Sequence, residues 1–186
     1  MRLFVSLMIA IASFSILAGE SYKVDPVHSM ILFSVKHLNV SYAYGQFTEF
    51  EGAFQYDAET GQLSDMQVKI NANSVTTQHA KRDKHIKSVD FFDVMQFPDI
   101  SFKAKSATKN DKGGYTINGD MTLHGVTKPA TFEIEEVGSG NDPWGGFRRG
   151  FHGTATIKRS DFDMSFLLEG VSDEVKIIVS LETVKQ

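Results

Sequence analysis

Six ionisable side chains fall within seven positions at His79, Lys81, Arg82, Asp83, Lys84 and His85, and an apolar run at Phe91, Phe92, Val94, Met95 and Phe97 follows closely. A charged surface that abuts a greasy one suits an amphiphile. His79 and Asp83 are four apart, the spacing of one helical face, and in principle such a pair could ligate a divalent metal. Catalytic zinc takes three protein ligands in a recognisable spacing, so a hydrogen-bonded surface cluster is the better reading and no metal is expected. Arg82 and Asp83 allow two roles: direct contact with a ligand, or a local ion pair and cap that anchors a helix. The remaining histidines, His28, His37, His124 and His152, are scattered along the chain. There is no cysteine and no Gly-x-Ser-x-Gly elbow, and the carboxylate pairs Asp161/Asp163 and Glu135/Glu136 are of a kind common on solvated strands and loops. No catalytic residue and no cofactor is assigned.

The elements that must position this segment are strands. Ile31, Phe33 and Val35 alternate with polar or outward residues, as do Phe50, Gly52, Phe54 and Tyr56. The same period of two runs through Met66, Val68, Ile70 and Ala72; Ile100, Phe102 and Ala104; Tyr115, Ile117, Gly119, Met121 and Leu123; and Ala130, Phe132 and Ile134. Late strands are expected over 147–157 and 175–184. Turns are expected at Glu59-Thr60-Gly61, over 110–114, at His124-Gly125 and over 138–146. Roughly eight strands with short links and no alternation with helices predict an antiparallel, all-β barrel, closed so that no edge is left open. Gly52, Gly119 and Gly153 mark sites where a curved sheet bends. One short amphipathic helix is predicted over 84–92, with Ile86, Val89 and Phe92 inward.

The N-terminus reads as an export signal: Arg2, an apolar run over 3–17, then the small residues Ala18 and Gly19. Residues 1–19 are expected to be removed, leaving 20–186 as a single domain. Arg2 is the only charge in the signal, so the net charge of −4 becomes −5 in the mature chain. That balance, with basic residues interleaved among acids, excludes a phosphate-neutralising face and hence nucleic acid as partner. No later segment is long and apolar enough to span a bilayer, and with no cysteine to carry lipid no stable membrane anchor is expected. Stability must come from core burial. Of fifteen Phe, thirteen lie beyond the signal. An eight-stranded barrel is either filled by its side chains or holds one small ligand, and the pattern alone leaves both open.

Several motifs bear on that choice: Tyr22-Lys23-Val24-Asp25-Pro26-x-His28-Ser29, Phe33-Ser34-Val35-Lys36-His37-Leu38, Arg82-Asp83-x-His85, Phe91-Phe92-Asp93-Val94, Phe97-Pro98-x-Ile100-x-Phe102 and Gly119-Asp120-Met121-Thr122-Leu123-x-Gly125-Val126-Thr127-Lys128. In this order they resemble the YceI-like family of exported proteins over nearly the whole mature chain. The resemblance implies a lipocalin-like barrel in the periplasm whose elongated apolar pocket binds a polyisoprenoid or similar long-chain amphiphile, such as a polyprenyl pyrophosphate or a prenylated quinone, without catalysis. Carried onto this chain, the pocket candidates are Phe33, Val35, Phe54, Val68, Ile70, Phe102, Met121, Leu123 and Phe132, with Phe91, Phe92, Phe162 and Met164 near the ends. His79, Arg82, Asp83 and His85 are the head-group candidates. One departure stands out. Where many members have Asp-Phe-Gly-Met this chain has Asp161-Phe162-Asp163-Met164, and the loss of glycine's conformational range predicts a different loop there. Two rivals to a carrier remain: a hydrolase acting on such a lipid through His79, Asp83 and His85, and a structural, stress-related protein with a filled barrel. A homodimer is left open.

Overall fold

The computed structural model of the protein describes residues 19–186, so all of the expected export signal but Gly19 lies outside the described residues. Eleven strand segments form one antiparallel sheet: β1 (Glu20–Val24), β2 (Met30–His37), β3 (Ser41–Phe47), β4 (Phe50–Asp57), β5 (Gln62–Asn71), β6 (Val75–Thr76), β7 (Asp99–Lys109), β8 (Tyr115–Leu123), β9 (Val126–Asn141), β10 (Phe147–Lys158) and β11 (Glu174–Lys185). They amount to eight staves, because β1 with β2, β3 with β4 and β5 with β6 are each one long strand interrupted briefly. Consecutive staves pair in order, and β11 closes the ring by pairing with β2 over 176–180 and with β1 over 183–185. The result is the closed antiparallel barrel expected from the alternation.

Each interruption is bridged by a side chain that takes the place of a missing backbone group. The Ser29 hydroxyl donates to the Glu182 carbonyl at 3.2 Å and accepts from the Glu182 N–H at 2.9 Å, which carries the ladder across the β1–β2 break. Ser74 accepts from the N–H groups of Thr48 and Glu49, both at 3.1 Å, and so joins two breaks to each other. Buried backbone groups must find partners, and these serines supply them where the strands bend.

One end of the barrel is filled. The Tyr22 and Phe54 rings stack at 5.3 Å, and Phe151 meets Phe54 edge-on at 5.5 Å. Over them the buried Arg149 guanidinium lies 3.7 Å from the Tyr56 ring centre and donates to Glu136. Burial pushes the neighbouring Tyr115 hydroxyl up to about 12, so it stays a donor, bonded to the Gly61 carbonyl at 2.9 Å.

The other end carries the helix, and here the sequence reading needs correction. Helix α1 spans Ala80–Ile86, not 84–92. His79 caps it by accepting from the Arg82 N–H, and it stops early because Ser88 donates its hydroxyl to the His85 carbonyl at 2.7 Å while the Phe92 N–H takes the Ile86 carbonyl. Serine competes with helix continuation in this way. Val89, expected inward, is 75% exposed. The turn expected over 138–146 is also shorter, since β9 runs on to Asn141 and Gly138 and Gly140 are strand residues.

The apolar cavity and its cation-lined mouth

Inward side chains of the staves leave an apolar cavity of about 160 Å³ beneath α1 and a second of about 80 Å³ deeper in the barrel. Ile31, Ile70, Ile100, Met121 and Ile177 border both, so the two lie end to end, separated by side chains rather than by backbone. Of the sequence-derived pocket residues, Phe33, Val35, Ile70, Phe91, Phe92, Met121, Leu123 and Met164 line the upper cavity; Val68, Phe102 and Phe132 line the lower, with Ile70 and Met121 shared. Two lie elsewhere. Phe54 belongs to the filled end, and Phe162 is buried in the short 3₁₀ turn Arg159–Phe162, outside both cavities.

Room for the aromatic lining comes from glycine. Gly45 sits opposite Phe33 in the β2–β3 ladder, and a Cβ there would lie 2.2 Å from the tip of the Phe33 ring. Gly119 does the same for Phe102, at 2.6 Å. A side chain at either position would drive a ring out of its place and reshape the cavity.

At the mouth, the head-group candidates separate. Arg82 borders the cavity, its Nε donating to the Thr77 hydroxyl at 2.7 Å and its Nη2 to the Thr77 carbonyl at 2.9 Å. Asp83 does not line it. Its carboxylate accepts from the Thr76 hydroxyl at 2.9 Å and from the Thr77 N–H and hydroxyl at 2.7 and 2.6 Å. Burial pushes the Asp83 carboxyl up, but these hydrogen bonds outweigh it and hold the group below the usual carboxylate range. His85 is also committed, bonded to Asp90 at 2.8 Å and packed edge-on against Phe91 and Phe166. His79 is the helix cap. The expected cluster is therefore one cation at the cavity with three neighbours that hold its helix in place.

Beside Arg82 the barrel wall is incomplete. Segment β6 pairs with β3 only at Gln46 and Phe47, so the edge over 41–45 has no described strand beside it. An open groove of about 520 Å³ lies along that edge, lined by Tyr42, Tyr44, Gln46, Gln78 and others. It adjoins the cavity, because Leu32, His37, Ala43, Tyr44, Thr77 and Arg82 border both.

A second cation, Arg159, was missed in the sequence although its position carried a signal. Phe151, Gly153, Ala155 and Ile157 face inward on β10, and the period of two places Arg159 next on that face. It borders the upper cavity and is buried. Its Nε donates to the Ser172 carbonyl at 3.0 Å, Nη1 to those of Met164 and Phe166 at 2.6 and 2.8 Å, and Nη2 to that of Val171 at 2.7 Å. Burial pulls its pKa down, with Asp173 opposing. One guanidinium thereby fastens both ends of the 163–173 loop over the mouth. Asp163 enters that loop with φ +60°, a left-handed conformation that glycine adopts without steric cost.

Among the described residues, one group brings potential metal-ligand atoms within 4.8 Å of one another: Asp25, His28 and Glu182 near the filled end. Arg148 already occupies its centre, donating to Asp25 at 2.8 Å and to Glu182. Its charge is met by the protein itself.

Comparison with known proteins agrees with this architecture. A UPF0312 protein of Yersinia enterocolitica is 44% identical over 173 residues, covering 92% of this chain and 89% of its own. A UPF0312 protein of Pseudomonas paraeruginosa is 41% identical, covering 96% of both. The crystal structure of a Campylobacter jejuni YCEI protein, 29% identical, superposes with a TM-score of 0.75 over 81% of this chain and 90% of that one. A polyisoprenoid binding domain from Saccharophagus degradans shares the fold at 14% identity, with a TM-score of 0.66 over 90% of this chain and 99% of that one. The YceI-like domain model matches residues 22–183, every stave of the barrel included, and the chain belongs to the YceI-like family.

Proposed function

We propose that the protein is a periplasmic carrier for a polyisoprenoid or similar long-chain amphiphile, with the tail in the barrel and the head at Arg82. The observation that carries this is the apolar cavity ending at a half-committed cation, whose Nη1 donates to no group among the described residues. The polyisoprenoid-binding domain with the same fold lends support. At about 0.8 kcal/mol per buried CH₂, one five-carbon unit gains up to about 4 kcal/mol, so a few buried units suffice once ordering costs are met. A polyprenyl pyrophosphate would use the Arg82 charge; a prenylated quinone would use the groove's neutral donors, such as the Tyr44 hydroxyl.

Catalysis is not part of this reading. His79, Asp83 and His85, the triad a hydrolase would use, are each engaged with a different partner and do not converge. Residues 1–19 are taken as an export signal and 20–186 as one domain. Glu20 already pairs with Tyr56, so a mature chain that begins there keeps the whole barrel.

Val68→Trp tests the placement of the tail, because Val68 lines the lower cavity. Fluorescence titration with a long polyprenyl pyrophosphate should show binding to wild type and loss of about tenfold or more in the variant, with the far-UV spectrum unchanged. Equal affinity in both would refute a tail inside the barrel.

A further inference from the structure

The surface around the mouth is apolar where it meets solvent. Leu38 and Val40, at the β2–β3 turn, are 59% and 84% exposed, and Phe166, Leu167 and Leu168 are exposed on the 163–173 loop. These two loops form one surface: the Leu38 N–H donates to the Gly170 carbonyl at 2.8 Å, the Ser172 N–H to the Lys36 carbonyl at 2.9 Å, and His37 bridges to Val171. Phe166 continues the surface to α1 through its edge contacts with His85 and Phe91.

Two of these leucines are held against their backbone preference. Leu38 and Leu167 both have φ +51°, a region that bulky side chains rarely adopt. Asparagine would fit that conformation better and would also suit water. Leucine at both points presents an apolar side chain at a tip, at a cost in both respects.

Helix α1 and the residue after it are basic in a chain whose net charge is −4, with four cations and one acid over 80–87. Lys81, Arg82 and Lys84 lie on α1 and Lys87 caps its end, and Lys81 shares a helical face with His85, one turn before the residue that packs on Phe166. The acids of the same segments are Asp83, Asp90, Asp93, Asp163, Glu169 and Asp173; Asp83 is bonded to Thr76 and Thr77, Asp90 to His85 and Asp173 to Ser160. Exposed aliphatic tips beside the lysines of α1 match the boundary between headgroups and acyl chains of an anionic bilayer.

We infer that the mouth end docks on an anionic membrane surface, with Leu38, Val40, Leu167 and Leu168 entering the headgroup layer and Lys81 and Lys84 meeting lipid phosphates. A barrel so placed has its mouth against the lipid from which cargo would enter. The inference concerns docking and not cargo, so vesicles free of isoprenoid test it apart from the carrier reading.

The experiment is co-sedimentation of the mature protein with vesicles of phosphatidylglycerol and phosphatidylcholine, beside phosphatidylcholine alone. Wild type should pellet with the anionic vesicles, much less with the neutral ones, and less again in high salt. The double variant Leu38→Asn, Leu167→Asn should bind about tenfold or more weakly while its melting temperature holds or rises, since asparagine suits both backbones. Lys81→Glu with Lys84→Glu should weaken anionic-vesicle binding comparably. Equal binding to neutral vesicles, unchanged binding by either double variant, or a wild type that stays in the supernatant would each overturn the inference. So would sedimentation velocity showing that the leucines are covered by a second copy of the chain.

Discussion

Arg159→Met removes a guanidinium while keeping most of the side chain's bulk, and it tests whether one buried cation holds the mouth together. Four carbonyls, of Met164, Phe166, Val171 and Ser172, lose their donor. Hydrogen bonds to a charged group contribute about 1.5 to 3 kcal/mol each, so the four amount to roughly 6 to 12 kcal/mol before the cost of burying the cation. That cost is several kcal/mol, and the orphaned carbonyls can reach water if the loop lifts. A net loss of about 3 to 5 kcal/mol follows, a large share of the 5 to 15 kcal/mol typical of a domain. Thermal melting should fall by about 10 °C. Native-state hydrogen exchange locates the damage: the Gly170, Val171 and Ser172 amides, bonded to Leu167 and Lys36, should exchange about a hundredfold faster or more. The β8–β9 ladder should lose less protection if the loop lifts by itself. Arg159→Lys should recover only part of the loss, because one ammonium cannot reach carbonyls spread from Met164 to Ser172. Wild-type melting and exchange in the Met variant would refute the fastening argument, and full rescue by lysine would show that charge alone suffices.

Three further outcomes are expected. Asp163→Gly should raise stability by about 0.5 to 1 kcal/mol and the melting temperature by a few degrees, because glycine bears the left-handed backbone at no steric cost; a lower melting temperature would contradict this. The Asp25 carboxyl, held down to about 2 by its bonds to His28 and Arg148, is depressed relative to the unfolded chain, so its contribution is complete above about pH 4 and is lost as pH falls through about 2. The urea midpoint should drop across that interval, and Asp25→Asn should flatten the drop. Arg82→Ala should weaken a polyprenyl pyrophosphate about tenfold or more and leave a prenylated quinone nearly untouched, with equal losses and a lower melting temperature assigning Arg82 to the helix instead.

The period of two made the barrel legible, since Ile31, Phe54, Phe102, Ile117 and Ile134 all fall on its inner face. Alternation reports which face a residue takes and is silent on its height along the stave. Phe54 and Phe102 are therefore alike in sequence, yet one packs in the filled end and the other lines a cavity. The apolar spacing of Ile86, Val89 and Phe92 points to a helix that Ser88 forbids, because its hydroxyl takes the His85 carbonyl. Arg159 was overlooked for a different reason: a charge ending a strand normally marks its exit into water. Its burial depends on carbonyls up to thirteen residues later turning back to meet it, which no local pattern encodes.

Cavity size decides how much the barrel must move to hold a long chain. An apolar cavity of about 150 Å³ accommodates a benzene-sized group, so the upper cavity of about 160 Å³ takes roughly one isoprene unit as it stands. The lower one, about 80 Å³, takes half of that. A longer tail must therefore open the layer of Ile31, Ile70, Ile100, Met121 and Ile177 that separates them. Branched isoleucines on strands have few alternative rotamers, whereas Met121 is unbranched and adapts at little cost. For the proposed tail, Met121, which borders both cavities, would be the side chain whose displacement joins them, and the wall gap beside β3 would relieve the added volume. Each unit drawn past it gains up to about 4 kcal/mol of burial, against overpacking costs of about 1 to 3 kcal/mol for a displaced core side chain. On the proposed reading the balance would favour entry once the tail passes Met121, and chain length would be set by the depth below it, down to the Tyr22, Phe54 and Phe151 plug.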